Sequence, residues 1–508
     1  MKALISVFDK SGIIELGKNL ISAGIELVST GGTAKSLLDS GLPVRQISEL
    51  TGFPEILDGR VKTLHPSVHG GILARRDKPE HTSQLDHHQI STIDIIIVNL
   101  YPFQETISKP EVTFDEAIEN LDIGGPTLLR AAAKNHEFVI VLSDPNDYDW
   151  VAKKITDNTI TKENRRWLAS KAFQHVALYD TIIAQWLRSG EEKFTEEKTL
   201  GFKKVSDLRY GENPHQQAAL YSNVPSDGGL VGAEQLHGKE LSFNNILDAN
   251  AAWTTVTDFA EPTVTIIKHT NPCGLASDPY QPEAYKKANA GDPVSAYGGI
   301  VGFNRTVTAE TANEMRSVFY EIVIAPDYEP EALELLKKKR DLRILKLPLP
   351  TIKETIEHLQ IRKVSGGILL QTEDNLIEDT SLWALQTKQK PSQTEQEDIE
   401  FAWKAVKHIK SNAIVLVKNK ALVGMGAGQP NRVTSVHLAL RAAGEAVPGS
   451  VLASDAFFPL PDGIELAAAQ GVTVVVQPGG SIRDSEVIDS ANEANIAMLF
   501  TGVRHFQH

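Results

Sequence analysis

Lys268 and His269 stand side by side at the end of a β-branched apolar run, Val264 to Ile267, inside the segment Thr263 to Gly274. An imidazole able to take a proton, beside an ammonium able to meet developing negative charge, suits addition to a carbonyl carbon. The run reads as a strand of an α/β sheet, and ligands gather at the carboxyl ends of such strands. Beyond the pair the chain is expected to turn at Asn271-Pro272. Two solvated basic residues at a strand end is the plainer alternative.

Other segments carry the marks of anion binding. Ser29-Thr30-Gly31-Gly32-Thr33-Ala34-Lys35 lies between a strand and a helix, where paired glycines let backbone amides approach a phosphate and Thr33 adds a hydroxyl. An ordinary glycine turn with a threonine cap fits the same residues. Arg60, Lys62, Thr63 and His65 share one loop. His65 and His69 have the spacing of a zinc pair, but Pro66 and Gly70-Gly71 spoil the helix it needs, so no metal site is expected. Ile95 to Val98 reads as a buried strand delivering Asn99 and Tyr101, and Asp122-Ile123-Gly124-Gly125 opens the helix Leu128 to Asn135. Lys134, near that helix's end, reads from the residues alone as a cation on the helix dipole. Asp207 to Gln216 is polar, aromatic and aperiodic, as a recognition loop is. Ser411-Asn412 opens the run Ala413 to Val417, and Val423 to Arg432 is glycine-rich. As a dinucleotide fingerprint the latter fails, because a turn at Gly444 stands where a strand-ending acid is required about 20 residues on.

These residues need several elements to position them. A chain of 508 residues exceeds one hydrophobic core, so two or three domains are expected. Hydrophobic content of 41% with 23% charged residues is ordinary, and no apolar stretch has the length of a membrane span. The N-terminus lacks the pattern of a signal peptide. A single cysteine, Cys273, excludes an internal disulfide and a multi-cysteine metal site, and fits a reducing cytoplasm. A net charge of -14 without a basic tract argues against nucleic acid as the main ligand. The runs Ala3 to Val7, Gly12 to Ala23, Glu26 to Ser29 and Thr33 to Asp39 give βαβα order, hence a mostly parallel sheet. After a helix at Glu163 to Leu187, the charged stretch Ser189 to Lys198 marks a boundary near 190–200. A second polar stretch, Thr387 to Asp398, is expected to link two lobes of the C-terminal part. Asp292 to Gly299 and Val451 to Phe458 faintly echo one another, as an internal duplication would.

Together these motifs resemble one family. Ser6 to Lys10, Gly31 to Lys35, Gly59 to Pro66, Asn99 to Phe103, Asp122 to Gly125, Ala131 to His136, Leu208 to Gln216, Lys268 to Gly274, Ser454 to Pro459 and Gly502 to Phe506 are similar, in this order, to the bifunctional purine biosynthesis enzymes. Those enzymes join 5-aminoimidazole-4-carboxamide ribonucleotide (AICAR) formyltransferase to IMP cyclohydrolase.

The resemblance implies an α/β protein. Residues 1–195 would form a cyclohydrolase domain with a methylglyoxal-synthase-like, Rossmann-like parallel sheet. Residues 196–508 would form a formyltransferase domain of two cytidine-deaminase-like α/β lobes without zinc, split near 387–398. In the first, Thr30, Gly31, Gly32 and Thr33 would take the phosphate, and Asp9, Lys10, Arg60, Val61, Lys62, Thr63, Val98 and Asn99 would surround the nucleotide. Lys134 would donate or accept the proton, with Lys62, Tyr101, Asp122 and Ile123 lining the site. Phe8 stands where the family usually has serine, which removes a hydroxyl contact. In the second, His269 would be the base, Lys268 would stabilise the oxyanion, and Asn412 would position the amine. Arg209, Tyr210, Gly298, Glu321 and Arg432 would hold AICAR, with Glu321 where some relatives have aspartate. Val433, Phe457, Asp462 and Arg504 would meet the folate. The resemblance implies 10-formyltetrahydrofolate as cosubstrate, no tightly bound cofactor, and a cytoplasmic homodimer with shared active sites and no nucleic-acid or membrane partner. It leaves open a monovalent cation in the C-terminal half. Two other readings predict different ligands: a nonenzymatic phosphometabolite-binding regulatory module, and a dinucleotide-dependent oxidoreductase built on Gly424 to Gly428.

Overall fold

The computed structural model describes residues 1–57, 59–188, 193–224, 228–350 and 359–508. Two compact units emerge, one formed by Met1–Lys203 with a short return after Ser222, the other by the rest of the chain. Of the charged stretch expected at the boundary, residues 189–192 lie outside the described residues.

In the first unit, β1 (Lys2–Val7), β2 (Glu26–Ser29), β3 (Val44–Gln46), β4 (Ile95–Asn99) and β5 (Ile140–Leu142) form an all-parallel sheet in the order β3-β2-β1-β4-β5. Every residue of β4 is buried, as a strand covered by helices on both faces must be, which accounts for its unbroken Ile-Ile-Ile-Val run. The parallel order sets the site. All the loops that follow the strands, Phe8–Asp9 after β1, Thr30–Gly31 after β2 and Leu100–Tyr101 after β4, leave from the same sheet edge. The helix Gly31–Asp39 begins two residues earlier than its apolar pattern suggests, and the chain enters it through Gly31 at φ 41°, which side-chain-bearing residues rarely take.

In sequence after β5, β6 (Phe202–Leu208) and β7 (Ala218–Asn223) form a two-stranded ribbon of their own. The second unit is built on a twelve-stranded sheet. Its strands are β8 (Glu234–His237), β9 (Thr263–Lys268), β10 (Asn271–Ser277), β11 (Gly299–Phe303), β12 (Tyr320–Ala325) and β13 (Arg343–Lys346), then, past a separate hairpin of β14 (Leu359–Val364) and β15 (Gly367–Thr372), β16 (Ala384–Leu385), β17 (Ile414–Lys418), β18 (Ala421–Gly426), β19 (Val451–Ser454), β20 (Val474–Gln477) and β21 (Ala497–Phe500). One topology occurs twice. A helix (Phe243–Thr257 or Gln393–Lys407) precedes an antiparallel hairpin (β9–β10 or β17–β18), and a second helix (Gln281–Gly291 or Arg432–Ala443) leads to three parallel strands separated by helices. The halves meet where β10 pairs antiparallel with β18, Ala276 opposite Ala421. Even the close packing repeats: a Cβ on Gly274 of β10 would lie 2.0 Å from the Ala288 carbonyl oxygen, and one on Gly426 of β18 would lie 2.0 Å from that of Ser435. Only glycine lets the helix backbone approach the hairpin that closely.

The repeat lies in a different register from the faint sequence echo. Val451–Ser454 is a strand, whereas Asp292 to Gly298 precedes one, so the two segments are not equivalents. The expected inter-lobe link is also shorter, because Ser392 caps the helix Gln393–Lys407, which takes up the last residues of Thr387 to Asp398. Nor is this sheet mostly parallel. Each half pairs its hairpin antiparallel to the strands on either side. The chain turns at His269-Thr270, with φ 51° and 62°, and Asn271-Pro272 already belongs to β10. Positive φ at both central residues matches the twist of an antiparallel hairpin, which a turn at Asn-Pro would not.

Candidate functional sites

The first candidate site lies on the carboxyl edge of the parallel sheet. Asn99, at the tip of β4, accepts hydrogen bonds from the amides of Phe8 (2.7 Å) and Asp9 (3.0 Å) and donates to the Asp9 carbonyl (2.8 Å), fixing the β1 loop. Its side chain is thereby committed to positioning. The Thr33 hydroxyl is likewise engaged, donating to the Val7 carbonyl and accepting from the Val7 amide, so Thr33 offers an anion its backbone amide and not the hydroxyl expected. Gly31 and Gly32 are exposed above it, and a Cβ on Gly31 would lie 3.9 Å from Lys62 Nζ. Amides and an ammonium thus face one spot. Asp9 caps the amide of Ser11 (2.9 Å), and its hydrogen bonds with Ser11 hold its carboxyl below the usual range.

Asp122 stands beside this spot. Its carboxylate accepts the Gly125 amide (2.8 Å), and its own amide is held by the Tyr179 hydroxyl (2.8 Å). Burial pushes Asp122 above the ordinary carboxylate value, opposed by the Gly125 amide, the Lys62 charge and the Tyr101 and Gly124 amides. Those same neighbours place Lys62, Tyr101 and Asp122 in one cluster. Thr63 packs against the helix start, since a Cβ on Gly124 would lie 2.9 Å from its Oγ1. Phe8 meets Tyr101 edge-on with ring centroids 5.4 Å apart, so an aromatic contact replaces the lost hydroxyl. Ile123 is exposed at the rim, Arg60 is drawn into an ion pair with Glu119, and Lys10 is exposed. Val61 pairs with Ile56 in an isolated bridge, and Val98 is core, able to meet a ligand only through its backbone.

Lys134 is not part of this cluster. It ends the helix Gly124–Lys134 and is exposed, ten residues and about 15 Å along the axis from Gly124. Six residues later β5 begins at Ile140, opposite Ile95, the first residue of β4. Lys134 therefore sits on the edge where the strands start, and Asp122 on the edge where they end. The physical reason is the handed βαβ crossover, which carries the helix back along the whole strand. Neighbouring His65 uses Nδ1 to cap the helix Pro66–Leu73, accepting from Ser67, while burial lowers the basicity of His69.

The second candidate site lies along one edge of the twelve-stranded sheet. Lys268 ends β9, Gly298 precedes β11, and Glu321 lies near the start of β12. Because β11 runs antiparallel to β9 and parallel to β12, these three share an edge. Lys268 Nζ donates to the Tyr297 carbonyl at 2.7 Å, and a Cβ on Gly298 (φ 71°) would lie 3.3 Å from it. Glu321 pairs with Arg343 at 2.7 Å. His269 is exposed on the hairpin turn. Asp248, unremarkable in sequence, reaches this turn from the helix Phe243–Thr257 and accepts the Thr270 amide at 2.7 Å. Burial raises its carboxyl above the ordinary value, against the Thr270 amide and the charges of His269 and Lys268.

The hairpin turn also reaches the other half. Asn271 Nδ2 donates to the His269 carbonyl at 3.1 Å, and its Oδ1 accepts the Lys410 amide at 3.3 Å, one residue before Ser411-Asn412. Asn412 is held from every side. Its Nδ2 donates to the Gln429 carbonyl (2.8 Å), its Oδ1 accepts from Arg432 Nη2 (2.7 Å), and its carbonyl accepts from Ser435 (2.8 Å). Arg432, buried at the start of its helix, pairs in turn with Ser454 and with the fully buried Asp455. A cavity of about 380 Å³ opens beside this network, walled by Asn412, Arg432, Val433, Phe457, Asp462 and Phe506, among others. Arg504 lies over the Phe506 ring at 4.7 Å, at the cavity's margin. Arg209 stacks over Tyr210 at 5.0 Å on the aperiodic loop, which Asn244 ties to the helix bearing Asp248. Cys273 is no nucleophile: burial pushes its thiol up to about 12.

A glycine loop at the edge of a parallel sheet, followed by a duplicated α/β unit that brings Lys-His and Asn-Arg pairs to one edge, defines an α/β protein with two candidate sites. Residues 132–442 match the family model described as AICARFT/IMPCHase bienzyme, and residues 12–127 match that of the MGS-like domain. The chain belongs to the AICARFT/IMPCHase bienzyme family. It is 52% identical, over all of its own length and 99% of the relative's, to the bifunctional purine biosynthesis protein PurH of Bacillus cereus (strain B4264), and 52% identical, with the same coverage, to that of Thermoanaerobacter sp. (strain X514). A solved chain described as the crystal structure of ForH is 38% identical, covering 38% of this chain and 100% of its own, with a TM-score of 0.35.

Proposed function

We infer that the two candidate sites divide the last two steps of IMP synthesis, the reactions of this family. In formyl transfer, the 5-amino group of AICAR attacks the formyl carbon of 10-formyltetrahydrofolate while His269 takes the amine proton. Lys268 stabilises the tetrahedral oxyanion, which collapses to release tetrahydrofolate, N10 regaining a proton. Asn412, clamped by Gln429 and Arg432, positions the amine. AICAR would lie against Arg209, Tyr210, Gly298, Glu321 and Arg432, and the folate in the cavity of Val433, Phe457 and Asp462, near Arg504. The observation that carries this reading is Asn271, which bonds the His269 turn to the Asn412 loop.

In ring closure the carboxamide nitrogen attacks the formyl carbon and water leaves. Both groups are tethered in one molecule, so proton transfer and a positioned cation suffice. Lys62, Asp122 and Tyr101 supply these in our reading, and the amides of Gly31, Gly32 and Thr33 take the phosphate. Asp122, raised by burial, is suited to exchange protons nearer neutrality than an exposed carboxylate would be.

The test follows tetrahydrofolate and IMP spectrophotometrically with AICAR and 10-formyltetrahydrofolate, wild type against His269→Ala. The variant should make neither product yet still cyclise supplied formyl-AICAR. A variant that still transfers formyl removes His269 from its role. We further propose a cytoplasmic homodimer with shared active sites, which light scattering on the full chain checks. A monovalent-cation requirement of the C-terminal half is checked by replacing potassium with a tetraalkylammonium salt.

A further inference from the structure

The C-terminal tail after β21 has no regular structure, yet His505 within it is 3% exposed. Both ring nitrogens are taken: Nδ1 lies 2.6 Å from Asp374 Oδ2, and Nε2 lies 2.7 Å from Glu378 Oε1. A neutral imidazole has one N–H to give, so two carboxylate partners call for the doubly protonated ring. Glu378 also accepts the indole N–H groups of Trp403 (2.8 Å) and Trp383 (3.2 Å), and the His505 ring lies 5.1 Å from that of Trp403. This is a built ionic node, and none of the sequence motifs pointed to its partners.

Its place gives it a task. The residues on either side of His505 are Arg504 and Phe506, the stacked pair at the margin of the 380 Å³ cavity. The His505 amide bonds to the Asp455 carbonyl (3.0 Å), and Gln507 exchanges bonds with Ser411 through its carbonyl and amide (2.8 and 3.1 Å). The tail thus lies between the node and the Asn412 loop, and one side chain, His505, locks it to the segment carrying Asp374 and Glu378.

We propose that His505, clamped between Asp374 and Glu378, is a positioning residue that sets the Phe506 and Arg504 wall against which the folate donor binds. This rests on the cavity being the folate subsite. Burial works against the charged ring, but Asp374 and then Glu378 outweigh it and hold His505 above its ordinary value of 6.5. The other charges near the node are Lys407 and Asp258, which act on Asp374, and Arg504 on the tail. A raised folded-state value means the clamp is complete below about pH 6.5 and is lost as pH climbs through the raised value.

The experiment measures KM for 10-formyltetrahydrofolate and for AICAR, with kcat, from pH 6 upward, on wild type, His505→Gln, Asp374→Asn and Val433→Trp. The AICAR KM on the same preparations reports that the second unit is folded, and cyclisation of formyl-AICAR that the first is. The expected result is a donor KM raised about tenfold in His505→Gln, the scale of one lost charged hydrogen bond, with AICAR KM and cyclisation unchanged. Wild type should show donor KM rising at alkaline pH, and His505→Gln should lose that rise. Asp374→Asn, which removes a half-exposed partner, should give a smaller shift of the same kind even where His505→Gln fails to accumulate. Val433→Trp fills the cavity and should raise donor KM by itself. If it does not, the subsite reading fails and the proposal falls with it. If it does while His505→Gln and Asp374→Asn leave donor KM and its pH dependence at wild-type values, the proposal alone is overturned.

Discussion

The family resemblance makes Lys134 the proton carrier of ring closure, whereas within one chain the helix that ends at Lys134 starts beside Asp122 and runs away from it. The helix rises about 15 Å between Gly124 and Lys134, and a lysine side chain of five bonds reaches about 6 Å. Even pointed straight back, its ammonium falls about 9 Å short of the helix start, where proton transfer needs a separation near 3 Å. Lys134→Ala should therefore cost only the favourable charge at a helix C-terminus, about 0.3–1 kcal/mol of stability, and leave kcat for cyclisation within about twofold. Lys62→Met and Asp122→Asn should each lower that kcat by roughly 100-fold to 10,000-fold, the range for a positioned acid or base, while formyl transfer proceeds. The assay is single-turnover conversion of formyl-AICAR to IMP at saturating substrate, with thermal melting as the control for folding. A Lys134→Ala enzyme that melts normally yet loses cyclisation a hundredfold would refute the intrachain assignment, and would require Lys134 to be delivered from another copy of the chain.

Three further outcomes follow from the second unit. Gly274→Ala and Gly426→Ala should each destabilise it by about 3 kcal/mol, because a Cβ would sit 2.0 Å from a helix carbonyl with no flexible side chain to yield; urea denaturation followed by loss of formyl transfer reads this, and unchanged midpoints would show that the helices do not pack as described. Arg432→Met leaves the fully buried Asp455 with Ser411 as its remaining side-chain donor and should cost about 3–5 kcal/mol; a melting temperature within a degree of wild type would contradict the buried pair. Asp258, hydrogen-bonded by His408 (2.7 Å) and Lys407 (3.0 Å), is held well below the ordinary carboxylate value of 3.8 despite its burial, so its contribution is complete above that value and fades as pH falls toward the folded-state value. Asp258→Asn should thus be less stable than wild type at pH 7, with the gap narrowing below about pH 3.8, as tryptophan fluorescence against acid would record; a gap that widens on acidification has the wrong sign.

What could be read from the residues divides along a physical line. The strands β1, β2 and β4 of the first unit were legible to within a residue, since a run such as Ile95 to Val98 has one stable place, between two helical layers, whereas the three-residue strands β3 and β5 are too short to show a pattern. The glycine demand at Gly31 was legible for a similar reason, a backbone requirement being written directly in residue type. Hydroxyl and amide side chains were not. Thr33 and Asn99 look like ligand contacts, yet the fold engages the first with Val7 at the end of β1 and the second with Phe8 and Asp9, and nothing local distinguishes a hydroxyl facing a phosphate from one facing a carbonyl. Asp248 and the carboxylates around His505 left no trace, because their partners are 22, 131 and 127 residues away in the chain. The duplication was hinted at by the wrong residues, since what repeats is the order of elements and the two close-packed glycines, and a helix-hairpin-helix unit can keep both while its surface changes. The antiparallel join of the two halves, rather than the repeat itself, is what brings two sets of polar groups to one edge. The turn of the first hairpin, Lys268 and His269, and the open ends of the second, Asn412 before β17 and Arg432 after β18, share one side of the sheet, because β10 pairs antiparallel with β18. The join thus gives Lys268 and His269 on one hand, and Asn412 and Arg432 on the other, separate supports on one edge, and a reaction between two substrates gains from groups held on separate, rigid elements.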